Sequence, residues 1–291
     1  MDHNGSGPIA ESAWRQPAPA LRPLTAWYVG YRQAGLDAGR HRGLPSPYLT
    51  MIVTFDEPLT IAAHPDSRQS PGHYDALVAG LHTSPAMIVH PGRQAGIQLG
   101  LHPLGARALL GMPAGELTNS DVDATDVLGS AALELRERVG AATSWPERFA
   151  AVDDVLLSRA RLERTVPAEV AYAWRRLLSS GGAVAVSDLA AEVGWSSRHL
   201  NERFRTEIGL APKAAARVVR FDTARRCLQR RVVGNQRAAL ADLAVAFGYY
   251  DQAHLAREFG DFAGCPPSVW VAEEFRNFQG TPDLPVAGSA P

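Results

Sequence analysis

Cysteine is almost missing from this 291-residue chain: Cys227 and Cys265 are the only two. Two distant thiols make neither a disulfide framework nor a zinc site with paired-cysteine spacing. Lysine is scarcer still, with Lys213 alone beside 28 arginines, a usage that points to a GC-rich genome more than to any chemistry. No apolar run approaches the ~20 residues that cross a bilayer. The first twenty residues have neither a basic start nor an apolar stretch, so no signal peptide is expected. A serine nucleophile elbow, a G-x-G-x-x-G after a strand and a P-loop are all lacking, which leaves no catalytic motif to follow. The expectation is a soluble, cytoplasmic protein that is not an enzyme and needs no cofactor.

What is present suffices for folded structure. The chain is 46% hydrophobic and 20% charged, enough apolar surface for a sizeable core. Its length suits one large or two ordinary domains. The net charge of −1 hides an asymmetry: residues 1–167 sum to −3 and residues 168–278 to +3. A basic C-terminal part points towards a polyanion.

Periodicity changes once along the chain. From Ala26 to His102 the apolar runs are short and rich in β-branched or aromatic residues: WYVGYR at 27–32, YLTMIVTF at 48–55, AMIVH at 86–90 and GIQLGLH at 96–102. Gly/Pro clusters at 43–47 and 64–72 separate them, as in a small antiparallel barrel or sandwich. Beyond Pro103 helical spacing takes over near 103–111, 127–140 and 146–163, with Pro146 suited to a first turn. Residues 168–275 read as helix and short turn. The predicted organisation is a structureless 1–20, a β-rich domain with helices over 21–164, a helical domain over 168–276 and a structureless tail over 277–291.

The strongest signal is an internal repeat. SDLAAEVGWSSRHLNERFRTEIGLAPK (187–213) matches ADLAVAFGYYDQAHLAREFGDFAGCPPS (241–268). Ala190 pairs with Ala244 and Gly194 with Gly248, then Leu200 with Leu255, Phe204 with Phe259, Gly209 with Gly264 and Pro212 with Pro267. Each copy has the parts of a helix-turn-helix: a small alanine for close packing, a glycine ending the first helix, and Ser196 or Asp251 to cap the second. With Leu200 and Phe204 turned inward, the opposite face carries Arg198, Asn201, Glu202 and Arg205. The second copy presents Gln252, Ala253, His254 and Arg257. Arginine reads guanine, asparagine or glutamine reads adenine, and a carboxylate accepts from cytosine.

Residues 183–275 resemble the AraC/XylS-type DNA-binding domain, on the two repeat copies and the joining segment ARVVRFDTARRCL. The resemblance implies two helix-turn-helix units on one long helix, each second helix entering a major groove. Duplex DNA is the implied partner; RNA polymerase, a small-molecule effector and a second copy of the chain are candidate partners. One departure is visible: Ala215 stands three residues after Pro212 where the family carries an aromatic, as Trp270 does after Pro267. Looser packing around the linker helix is expected there. The fold class is α+β, an N-terminal β-rich cupin-like domain with trailing helices before an all-α double helix-turn-helix domain.

The N-terminal segments HRGLPSPYLTMIVTF and GLHTSPAMIVHPGRQAGIQLGLHPLGARALLGMPAGEL resemble the sensor-type region of a subgroup of these regulators. That implies a cupin-like domain for effector sensing, dimerisation or both. Candidate pocket residues are Trp27, Tyr31, His41, Arg42 and Tyr48. Six histidines (His41, His64, His73, His82, His90, His102) raise a metal-cupin enzyme as a rival, but no H-x-H pair or glutamate at ligand spacing accompanies them. A domain that only dimerises is the second rival.

Overall fold

The computed structural model describes residues 9–236 and 239–278. Ten strands build its first part: β1 (Ile9–Arg15), β2 (Thr25–Ala34), β3 (Gly39–Gly43), β4 (Leu49–Thr54), β5 (Leu59–Ala63), β6 (Gly72–Tyr74), β7 (Ala76–Ala79), β8 (Ala86–His90), β9 (Gln94–Leu101) and β10 (Asp121–Asp123). They form a six-stranded antiparallel sheet, β1-β2-β9-β4-β7-β10, and a four-stranded one, β3-β8-β5-β6. The larger sheet's central strands β4 and β7 are buried almost throughout, so they read as continuous hydrophobic runs rather than as alternation. On β2, Tyr28 stacks on Phe149 at 6.2 Å, while Trp27, Val29 and Tyr31 point towards the second sheet. On β9, Ile97, Leu99 and Leu101 join the main core and Gln94 and Gln98 face inward.

Helices cover the outer face. They are α1 (Ala106–Leu110), α2 (Ala124–Leu128), α3 (Ser130–Ala141) and α4 (Trp145–Arg159). Ser144 and Glu147 form a reciprocal capping box at the start of α4, with Pro146 in its first turn. Seven helices follow: α5 (Ala168–Ser179), α6 (Val186–Glu192), α7 (Ser197–Ile208), α8 (Pro212–Val233), α9 (Leu240–Ala246), α10 (Gln252–Ala263) and α11 (Pro267–Phe278). The pairs α6–α7 and α9–α10 are the two helix-turn-helix units. Gly194 (φ 71°) and Gly248 (φ 70°) make the tight turns, a conformation cheap only for glycine. Helix α8 joins the units, and its 22 residues span about 33 Å at ~1.5 Å per residue. Its Phe221 lies 5.0 Å from both Phe259 and Phe262.

Two expectations change. The N-terminus is not structureless over 9–20: β1 pairs with β2 from Ile9↔Ala34 to Arg15↔Tyr28. Behind it the buried Asp153 carboxylate accepts from Arg15 (2.9 Å), the Ala18 amide (2.9 Å) and the Tyr28 hydroxyl (3.1 Å). Composition cannot report an edge strand whose order comes from a distant carboxylate. Residues 1–8 and 279–291 lie outside the described residues, and position 277 falls in the last turn of α11. Ala215 is not at a loosened surface either, being 1% exposed. Helix α5 packs against both α7 and α8, and its buried Trp174 meets Phe204 at 6.0 Å, supplying an aromatic from another helix.

The β-rich part and the helical part share one hydrophobic core and are joined by polar contacts at two places. At the C-terminal end of α7, Arg107 donates twice to Glu207, at 2.7 and 2.9 Å. Thr118 donates to the Gly209 carbonyl at 2.9 Å. Gly115 lies so near that a β-carbon there would sit 2.2 Å from the Thr206 carbonyl oxygen. At the other place Arg42 on β3 meets Glu273 at 2.5 Å, and its amide donates to Glu274 at 2.9 Å.

The Arg107–Glu207 pair is asymmetric: the glutamate side chain is 2% exposed and the arginine 33%. Removing the arginine strands a buried charge, whereas removing the glutamate leaves a solvated one. Arg107→Ala is expected to cost about 3 kcal/mol, and Glu207→Ala distinctly less, read as urea midpoints at unchanged slope. Equal losses would refute this account of the contact.

Candidate nucleic-acid interface and ligand cavity

Helix α7 buries Leu200, Phe204 and Ile208, which forces the opposite face outward. Arg198, Asn201, Glu202 and Arg205 are all exposed there. Helix α10 buries Leu255, Phe259 and Phe262 and exposes Gln252, Ala253 and Arg257, with His254 half-buried. Ser196 accepts from the His199 amide at 3.2 Å and Asp251 from the His254 amide at 2.7 Å, so both helices start on equivalent caps. The Tyr250 amide donates to His254 Nδ1 at 3.3 Å. In a neutral ring the proton then sits on Nε2, leaving that nitrogen as a donor.

Two further side chains at these edges were missed by sequence reasoning. His199 packs edge-on against Trp195 at 4.6 Å, as His254 does against Tyr249 at 5.3 Å. A histidine directly before each inward leucine was a signal available in the repeat. Tyr250 is 91% exposed beside the α10 cap; a tyrosine in a turn reads as core until its neighbours are known.

Between the two sheets lies a cavity of about 300 Å³, at the lower end of the sizes that hold small molecules. Trp27, Tyr31, His41 and Arg42 line it. Tyr48 does not: it is buried beside Trp27 at 6.1 Å and His102 at 5.6 Å. The strands alone do not close the cavity. Arg225, Arg226 and Gln229 of α8 and Trp270 and Glu274 of α11 complete its wall. A pocket lined only from residues 21–164 is therefore too narrow a description of this cavity.

The six histidines of residues 41–102 do not converge, and among the described residues no three His, Cys, Asp or Glu side chains could hold a metal ion. His64 Nδ1 meets Asp121 at 2.7 Å, His73 meets Thr60 at 2.9 Å and His82 meets the Ser84 carbonyl at 2.6 Å. His41 lies beside His90, ring centres 6.1 Å apart. Burial, then the neighbouring His90, pushes His41 down to about 4. Burial alone does the same to His102.

The comparisons with known proteins follow the same division. Residues 189–273 match a family described as a helix-turn-helix domain. Residues 14–123 match one described only as a domain of unknown function. No curated protein sequence matches the chain. Among solved structures, ToxT from Vibrio cholerae bound to (E)-4-(8-methylnaphthalen-1-yl)but-3-enoic acid is similar over 84% of this chain and 97% of its own, at 10% identity and a TM-score of 0.48. Unsaturated fatty acid bound ToxT from Vibrio cholerae covers 94% and 98%, at 8% identity and 0.47. The C-terminal domain of AraT, a response regulator from Geobacillus stearothermophilus, covers 36% and 84%, at 17% identity and 0.31. These likenesses are distant in sequence and partial in shape.

Two helix-turn-helix units following a β-rich part define a DNA-binding transcription regulator. Within it, residues 189–273 carry a helix-turn-helix domain of the AraC type. No helix among the described residues is long and apolar enough to cross a membrane.

His41 and His102 fix a pH dependence. Each is near its ordinary 6.5 when unfolded and about 4 when folded, so the unfolded chain binds more protons between those values. Their contribution is complete above pH ~6.5 and is lost as pH falls towards ~4. Urea midpoints should decline through that window, and His102→Gln should flatten the decline. An identical slope in the variant would contradict the burial of a neutral imidazole.

Proposed function

We propose that the protein regulates transcription by placing α7 and α10 in successive major grooves on one face of duplex DNA. Arg198, Asn201, Glu202 and Arg205 read one determinant; Gln252, Ala253, His254 and Arg257 read the other. The observation that carries this reading is the division of both helices, which bury their apolar positions and leave the base-reading side chains outward. The length of α8, about 33 Å, suits the ~34 Å of one DNA turn. Neither contact with the β-rich part covers those outward faces, so the described arrangement leaves them available.

The β-rich part, residues 21–164, acts as an effector-sensing domain. The cavity supports this over a domain that only dimerises, because its wall includes α8 and α11. An occupant touching those helices biases how the DNA-reading units sit, and so their affinity for the operator. No catalytic step is needed.

Bound fragments selected from a genomic pool give the preferred site. On that site Arg198→Ala and Arg257→Ala should each cost about 1–3 kcal/mol and relax preference at one base pair. Affinity should fall steeply with salt, since phosphate contacts release counterions. Inserting half a helical turn, about five base pairs, between the determinants should abolish most specific binding. Full discrimination by both arginine variants would sink the assignment of these faces.

A further inference from the structure

We propose that the cavity takes an uncharged ring compound that presents a hydrogen-bonding edge to β2 and β9. This rests on the reading of the cavity as the effector site and adds the chemistry of its occupant.

Charge around the cavity is already balanced within the protein. Its wall holds three acids, Glu11, Asp121 and Glu274, and three bases, Arg42, Arg225 and Arg226. Arg225 and Arg226 bind the buried Asp222 at 2.5 and 2.8 Å. Arg42 binds Glu273 and lies 3.7 Å from Glu274. Asp121 is held by His64 at 2.7 Å. The remaining charge, Glu11, is exposed on the edge strand and repels anions. A carboxylate ligand would have to draw an arginine away from these buried acids, which is strongly unfavourable, and an ammonium would find a partner outside them only in exposed Glu11, where solvent screens the attraction.

The neutral polar groups are placed differently. Register sets Gln33 opposite Gln94, and Gln98 opposite Val29. Gln94 donates to Gln33 at 2.7 Å. The Tyr31 hydroxyl and the Gln98 amide face the cavity and make no hydrogen bond with a described residue. Both groups donate and accept, and leaving them unmade is costly. Across the cavity stand Ile61 and Ile88 of the smaller sheet, which cluster with Ile52 and Leu77 beside Gln98 on the larger one to give an apolar wall. A ring packs on that wall and turns its polar edge to Tyr31 and Gln98. An amide, a lactam or a phenol meets both demands, and about 300 Å³ has room for one or two rings.

The test uses the whole chain near neutral pH with matched probes: benzoate, benzamide and benzylamine, and the corresponding naphthalene carboxylate, carboxamide and methylamine. Calorimetric titration should show the amides binding at least about tenfold more tightly than their charged counterparts, with a melting temperature that rises with amide concentration. Tyr31→Phe and Gln98→Leu should each weaken amide binding about tenfold, and the circular dichroism of the unliganded variants reports that they fold. Carboxylates binding as tightly as amides would overturn the uncharged occupant while leaving the effector reading in place. Amide affinity unchanged in both variants would remove the polar edge from the proposal and overturn it. Failure of every probe to bind would count against the cavity as a small-molecule site and take the proposal with it.

Discussion

The carboxylate of Asp222 holds a position on which both halves of the protein depend. It is 1% exposed. Burial pushes its acidity down, but the adjoining Arg226 and Arg225 outweigh that, and its pKa lies below the ordinary range. Those two arginines stand in the cavity wall, while the preceding residue, Phe221, packs on the second helix-turn-helix unit. One turn of α8 therefore faces the cavity and the DNA-reading core at once. An ion triad this deeply buried owes little of its value to net stability, since desolvation offsets most of the attraction. What it supplies is geometry: the arginines cannot turn towards another partner without abandoning a buried acid.

The six-stranded sheet makes the cavity possible. A sheet with one wet face would have left β2 and β9 half polar, and nothing would require a second layer. Here the outer face is filled by Tyr28, Ile97 and Leu99 against the helices, so structural cohesion is secured on that side. The inner face is then free to be under-packed. Its small core of Ile52, Leu59, Ile61, Leu77, Ala79 and Ile88 fills only part of the space between the sheets.

The helix-turn-helix units were legible in the sequence because each depends on local rules. Glycine at a positive φ, a capping Ser196 or Asp251, and leucine and phenylalanine at helical spacing are all readable within one copy, and the repeat doubles the signal. The strands were only half legible. β2, β4, β8 and β9 announce themselves as apolar runs, but β3 reads GRHRG and β1 reads IAESAWR, and edge strands of that composition look like loop. The cavity was legible only on its strand side. Arg225, Arg226, Gln229, Trp270 and Glu274 sit in helices whose local pattern speaks for the DNA-binding core, and their second role arises from tertiary docking. Tyr48 failed for the converse reason: it lies in the bend just before β4, where strand alternation does not fix its direction, and it packs beside His102.

The close approach at Gly115 reaches beyond packing. Regulators with separate sensing and DNA-binding parts invite recombination, in which one half is exchanged for that of a relative. Here the seam is keyed: backbone lies against backbone at Thr206, and any larger residue at 115 pushes the recognition helix away. A graft of this DNA-binding half onto a foreign sensing half would need a glycine at the same place in the seam. The halves are matched parts, and changing either one is a problem of fit at a single methyl group.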